Sequence, residues 1–187
     1  MRKIAAFMNG NLSLANYCAT LRLVAVLACG LGTNMAWVPW AEAAGNVQVK
    51  VTAGTLFVVG DGRDNNIMIN QQFPPSVVVA GRAGTTINGG ILFDGEVTND
   101  IRVEMKEGND FVRVEGQAFP GDLTINMGAH DDMIELLGVG VTGETRIETR
   151  AGNDIIFIDG VGGQPSDFQN FTTVTGSDRD LVEINHA

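Results

Sequence analysis

The stretches 100-DIRVEMKEGNDFVRVEGQA-118, 122-DLTINMGAHDDMIELLGVG-140 and 144-ETRIETRAGNDIIFIDGVG-162 superimpose at one fixed offset. Asp110, Asp132 and Asp154 stand 22 residues apart, and so do Gly116, Gly138 and Gly160, and Val103, Ile125 and Ile147. A repeat of this length, built from alternating apolar and polar residues without helical periodicity, predicts a stacked β-solenoid. Each 22-residue coil carries two main strands and two turns. The fold class expected is therefore all-β, a parallel β-helix.

Alternation within a coil assigns the inward side chains, because successive residues of a strand point to opposite faces. Val103, Ile125 and Ile147 form one inward stack. Val112, Ile134 and Ile156 form a second, and Val114, Leu136 and Ile158 a third. The glycines at 116, 138 and 160 mark a tight corner at the end of the second strand, where a residue without Cβ fits best. Strands are expected near 101–105, 111–115, 122–127, 133–137, 145–149 and 155–159.

The period loosens at both ends. Upstream, Ile91, Phe93 and Gly95 match Val112, Val114 and Gly116 at an offset of 21, and Ile67 and Ile69 match Ile91 and Phe93 at 24. Downstream, 180-DLVEI-184 matches 154-DIIFI-158 at an offset of 26. The extra residues lie in 71-QQFPPS-76 and 162-GGQPSDFQN-170, whose composition reads as loops bulging from a coil corner. Before the first coil, Val47, Val49 and Val51 alternate with polar residues, and Ala53-Gly54 separates them from 55-TLFVV-59, as in a hairpin or capping turn. About six coils are expected, roughly 28 Å of stack.

The N-terminus reads as a leader. Arg2, Lys3 and Arg22 precede the apolar run 23-LVAVLACGLGTNMAWVPW-40, and 41-AEA-43 has the small-x-small pattern of a secretory cleavage site. Glycines and Pro39 interrupt that run, which argues against a membrane span. The expected organisation is a signal peptide at 1–43, an N-terminal strand and capping region at 44–60, and the repeat domain at 61–187. A second reading takes Val26-Leu27-Ala28-Cys29 as a lipobox, with Cys29 the lipidated residue. Both cysteines, Cys18 and Cys29, fall in the leader, so the chain beyond it has no disulfide or thiol chemistry. From Ala44 onward there are 21 acidic against 9 basic side chains. That balance argues against nucleic acid as a partner, is a poor match to an anionic membrane and favours cations.

A related turn precedes each strand of the second type: 108-GND-110, 130-HDD-132, 152-GND-154, 178-DRD-180 and, at the start, 62-GRDNN-66. Gly108-Asn109-Asp110-Phe111-Val112 and Gly152-Asn153-Asp154-Ile155-Ile156 resemble the calcium-binding repeat of the RTX (haemolysin-type) family of secreted bacterial proteins. The resemblance implies an exported solenoid with Ca²⁺ as ligand, held by Asn109, Asp110, Asp131, Asp132, Asn153 and Asp154. The spacing departs from that family: the turns recur every 22 residues, and Lys106-Glu107 and Arg150-Ala151 replace the leading glycine pair. Two readings of the acidic file therefore stand side by side. Stacked carboxylates about 4.7 Å apart repel, and a hard cation with oxygen ligands relieves this. Alternatively, Asn and Asp occupy the turn because they accept its dihedrals and cap backbone N–H groups, with Lys106 and Arg150 supplying the neutralisation.

An enzymatic reading rests on Thr98-Asn99-Asp100 and His130-Asp131-Asp132, which resemble, in scrambled order, acidic motifs of the polygalacturonases. Glycosidic chemistry needs two carboxylates flanking a cleft, and only the segments 71–76 and 162–170 offer loops to build one. The expectation is a non-enzymatic surface, matrix or adhesion component at the cell surface or outside the cell, with calcium ions and a surface polymer as partners. A small polysaccharide lyase or hydrolase is the alternative.

Overall fold

The computed structural model describes residues 45–116 and 118–185; the expected leader lies outside them. The described residues form fourteen strands: β1 (Asn46–Thr52), β2 (Thr55–Val59), β3 (Asn66–Phe73), β4 (Ser76–Gly81), β5 (Thr86–Ile87), β6 (Leu92–Glu96), β7 (Ile101–Glu104), β8 (Phe111–Glu115), β9 (Leu123–Asn126), β10 (Met133–Leu137), β11 (Gly140–Glu148), β12 (Ile155–Asp159), β13 (Asp167–Val174) and β14 (Leu181–Ile184). Among the described residues no helix is long and apolar enough to cross a membrane.

The strands lie in two seven-stranded sheets, ordered β13-β11-β9-β7-β2-β1-β5 and β14-β12-β10-β8-β3-β4-β6. The 22-residue offset is the pairing register itself. Ile134 lies between Val112 and Ile156, and Leu136 between Val114 and Ile158, all in parallel strands. On the other sheet Ile125 lies between Val103 and Ile147. All three expected inward stacks are buried, joined by the file Met105–Met127 that closes the same face. Burying one such aliphatic side chain contributes about 1.5–3 kcal/mol, so repetition at a fixed offset builds the core coil by coil.

The coil count differs from the six expected. About three regular turns are present, β7–β8, β9–β10 and β11–β12, and β2–β3 and β13–β14 extend the parallel pairing on either side. Downstream, the offset of 26 is borne out: Ile155 pairs with Leu181 and Ile158 with Ile184. Upstream, the offsets of 24 and 21 are not coils. Ile67 pairs directly with Val112, and Leu56 directly with Ile101, a jump of 45 residues. The intervening chain reverses at Pro74-Pro75, so that β4 runs antiparallel to β3 and β6 antiparallel to β4. One coil's length of sequence is thus folded back as an end cap. The segment 71–76 is a hairpin turn rather than a bulging loop, and half of 162–170 is strand β13, reached through the tight loop Val161–Gln164.

The β1–β2 hairpin turns at Ala53-Gly54, both at positive φ (49° and 78°). Two such residues make the primed turn whose twist matches its strands.

Candidate functional site

The turn before each strand of the second sheet is built on a repeated backbone feature. Lys106, Gly128 and Arg150 occupy one position and have φ of 82°, 105° and 70°. Gly108, His130 and Gly152 occupy another, at 117°, 87° and 143°. Two left-handed residues flank a single extended one, and the extended residues bridge in parallel, Glu107 to Ala129 and Ala129 to Ala151. Glycine is the natural occupant of such positions. Where Lys106, His130 and Arg150 stand instead, each strains the backbone by about 1–2 kcal/mol.

That backbone sends consecutive N–H groups alternately up and down the stack, and the Asx side chains meet them. In the inner file, Asp110 Oδ1 accepts from the Asn65 N–H at 2.7 Å, and Asp132 Oδ1 accepts from the Asp110 N–H at 2.8 Å. Asp154 Oδ1 accepts from the Asp132 N–H at 2.9 Å, and Asp180 Oδ1 from the Asp154 N–H at 3.1 Å. In the outer file the direction reverses. Asp64 Oδ1 accepts from the Asn109 N–H at 2.8 Å, Asn109 Oδ1 from the Asp131 N–H at 3.1 Å, and Asp131 Oδ1 from the Asn153 N–H at 2.8 Å. The His130 ring extends the upward set, its Nδ1 accepting from the Gly108 N–H at 3.2 Å.

The six candidate metal ligands are thus brought together but divided between two files. Asp110, Asp132 and Asp154 are buried, whereas Asn109, Asp131 and Asn153 are exposed. Among the described residues no three His, Cys, Asp or Glu side chains converge as a group able to hold a metal ion. Asp110, Asp132 and Asp154 each keep the second oxygen, Oδ2, buried without a hydrogen-bond partner, and Oδ1 of Asn65 at the head of the file is likewise buried and unpartnered. Neutralisation comes from main-chain N–H groups. The Arg150 guanidinium turns away to Asn126 Oδ1 at 2.9 Å and Glu148 at 3.8 Å.

The electrostatics follow burial. Asp110 is 2% exposed and Asp132 also 2%. Loss of water pushes the Asp110 carboxyl up to about 7, against the pull of the Asn65 N–H and with the charges of Asp64 and Asp61 adding to the rise. Burial likewise pushes Asp132 up to about 7, opposed by the Asp110 N–H and reinforced by Asp110, Asp154 and Asp131. Exposed Asp131 moves the other way, lowered chiefly by the backbone N–H and then the side chain of Asn153.

A third ladder escaped the reading of the turns. Asp100 Oδ1 accepts from the Asp122 N–H at 3.1 Å, and Asp122 Oδ1 from the Glu144 N–H at 2.8 Å. Its signal was in plain view, since the first letters of the three superimposed stretches are Asp, Asp and Glu. Gly121 and Gly143 make room for it: a Cβ on Gly121 would lie 2.7 Å from Asp100 Oδ1, and one on Gly143 would overlap Asp122 Oδ1.

Segment 71–76 lends Gln71, Pro74 and Pro75 to one surface depression, and segment 162–170 lends four residues to another. An open groove of about 350 Å³ is lined by Gly140, Thr142, Gln164, Pro165, Asp167 and Gln169, without Asp131 or Asp132. Comparison with protein-family models, curated proteins and solved structures gives no match.

Proposed function

We propose that this chain is a non-enzymatic, exported β-solenoid serving as a surface, matrix or adhesion component. The observation that carries the reading is the commitment of the turn side chains to shape. The inner and outer Asx files and the Asp100–Asp122–Glu144 ladder bond one coil to the next through backbone N–H groups. Asp131 and Asp132, the pair an enzymatic reading would need, belong to opposite files, one exposed and one buried. They do not face a common bond as a glycosidase pair must. The test is incubation with a panel of acidic and neutral polysaccharides. Retention of a polymer without cleavage products supports the proposal, and new reducing ends or unsaturated sugars overturn it in favour of a small carbohydrate-active β-helix.

Calcium belongs to this proposal as a ligand of the turn column. Supporting it are the unpartnered Oδ2 atoms of Asp110, Asp132 and Asp154 and the exposed carboxylate of Asp131 beside them. Ca²⁺ requires ionised oxygens, so it competes with protons for the inner file. Millimolar CaCl₂ should raise the melting temperature at about pH 8, with much less effect at about pH 5.5, and EGTA should reverse it. An unchanged melting temperature at both pH values removes calcium from the proposal and leaves the structural role intact.

A further inference from the structure

The end cap has its own lock, built from two asparagines. β1 runs beside β5 through only two residue pairs, Asn46 with Thr86 and Val47 with Ile87. Beyond them the chain turns away at Asn88-Gly89, with φ of 52° and 78°, while Ile87 and Gly90 bridge across the turn. The Asn88 side chain then continues the pairing in place of a strand. Its Oδ1 accepts from the Val49 N–H at 2.9 Å and its Nδ2 donates to the Val49 carbonyl at 2.8 Å. Asn46 reciprocates, its Oδ1 accepting from the Gly89 N–H at 2.9 Å and from Thr86 Oγ1 at 3.0 Å. At Val49, beyond the β5 pairing, the outer edge of β1 is closed by one carboxamide.

That carboxamide precedes glycine and is exposed. We propose that Asn88 is a modification site, where attack by the Gly89 backbone nitrogen converts the amide to an acid, and that Asn46 and Val49 hold the reaction off while the cap is closed. In the reaction the deprotonated Gly89 nitrogen adds to Asn88 Cγ and forms a new C–N bond. Ammonia leaves, giving a five-membered imide, and water then opens either C–N bond to yield aspartate or its β-linked isomer. In the closed cap both participants are engaged: the Gly89 N–H donates to Asn46 Oδ1, and the carboxamide that carries Cγ is held through its Oδ1 and Nδ2 by Val49. The reaction therefore proceeds from the opened cap, and its rate follows the population of that local opening.

The product cannot restore the lock. A carboxylate at 88 has no hydrogen to donate to the Val49 carbonyl, and it sets a negative charge against that oxygen. An unmatched buried or half-buried acceptor of this kind is destabilising, so opening becomes one-way. The inference concerns the cap alone and is independent of the polymer-binding or calcium reading.

Peptide mapping by mass spectrometry of the full chain, held at mildly alkaline pH in the native state and in chaotrope, tests it. Conversion at Asn88 should be at least about tenfold slower in the native protein than in the unfolded one. Asn46→Ala, which frees the Gly89 N–H, should move the native rate toward the unfolded rate, whereas Asn46→Asp, which keeps an acceptor there, should hold it down. Asn88→Asp should lose hydrogen-exchange protection at the Val49 amide while the Ile134 amide in the regular coils keeps its own. Equal rates in native and unfolded protein, absence of conversion in the unfolded chain, or full Val49 protection in Asn88→Asp would each overturn the proposal.

Discussion

Asp132 has one oxygen bonded to the Asp110 N–H and the other enclosed without a partner, and burial raises its carboxyl against the pull of that N–H. Its folded value of about 7 lies above the unfolded value of about 3.9. The folded protein therefore binds more protons between those limits. The contribution of this carboxyl to stability is fully present below about pH 4 and is lost as pH rises toward 7, by up to about 1.4 kcal/mol per pH unit for each such proton. Asp110 follows the same sign. Asp132→Asn keeps an acceptor for the Asp110 N–H and has no charge to bury. Thermal melts across this range should show the variant more stable than the parent at about pH 8, with a shallower pH slope; a parallel, unshifted profile would refute the account. The turn backbone makes a matching prediction. Lys106→Gly relieves a left-handed lysine and should stabilise by about 0.5–1 kcal/mol after the entropy of the added glycine. Gly128→Ala places a methyl group onto the Lys106 carbonyl oxygen and should cost on the order of 3 kcal/mol, both readable by urea denaturation. At this scale the sequence was legible in part. The files at 110, 132 and 154 were visible, but their burial was not. An aspartate ahead of an apolar strand looks solvated until the backbone is seen to fold it over the end of the core.

Strands 111–115, 133–137 and 155–159 were legible to the residue, because each is bounded by a turn and carries a strict alternation over a glycine-terminated run. The excursion between β3 and β7 was not. Ile91, Phe93 and Gly95 carry the same apolar spacing as Val112, Val114 and Gly116, and spacing alone does not state strand direction. In the fold Phe93 lies beside Val79 in an antiparallel pair, a relation that the Pro-Pro reversal imposes and the apolar pattern cannot reveal. The two ends of the stack are consequently unlike. At one end β5 pairs in parallel with β1 and β6 antiparallel with β4, whereas β13 and β14 are outermost at the other, with Val182 38% and Ile184 52% exposed. These residues continue the files of Ile156 and Ile158, and among the described residues no further strand pairs with β14 beyond them. A strand edge of this kind attracts other strands. Val182→Lys should reduce concentration-dependent self-association measured by light scattering, and an unchanged profile would show the edge to be inert.

Across the described residues, three hydrogen-bonded ladders and one aliphatic core repeat in the same register, so stability is close to a sum over neighbouring coils. No single coil is indispensable to the geometry of the others. The alternating directions of the inner and outer files add to this, since the turns at 108–110 and 130–132 both donate to and accept from the coil on each side. What the sequence could not convey at this scale was the number of coils. Counting assumed that every apolar run adds a layer, and one layer's worth of chain serves as a lid.

The 22-residue register carries a consequence for inheritance. Asp100, Asp122 and Glu144 open equivalent coils, so removing residues 122–143 would place Glu144 where Asp122 had been and Asn153-Asp154 where Asp131-Asp132 had been, leaving the three side-chain ladders with partners of the same kind. Such a chain should fold, shorter by one layer, with parent-like circular dichroism and a lower melting temperature, while a cut displaced by a few residues within the same span, removing a length other than one period, should not. Length in this protein is a heritable variable that can change in whole steps, and a gene that slips by one repeat yields a different ruler rather than a broken one.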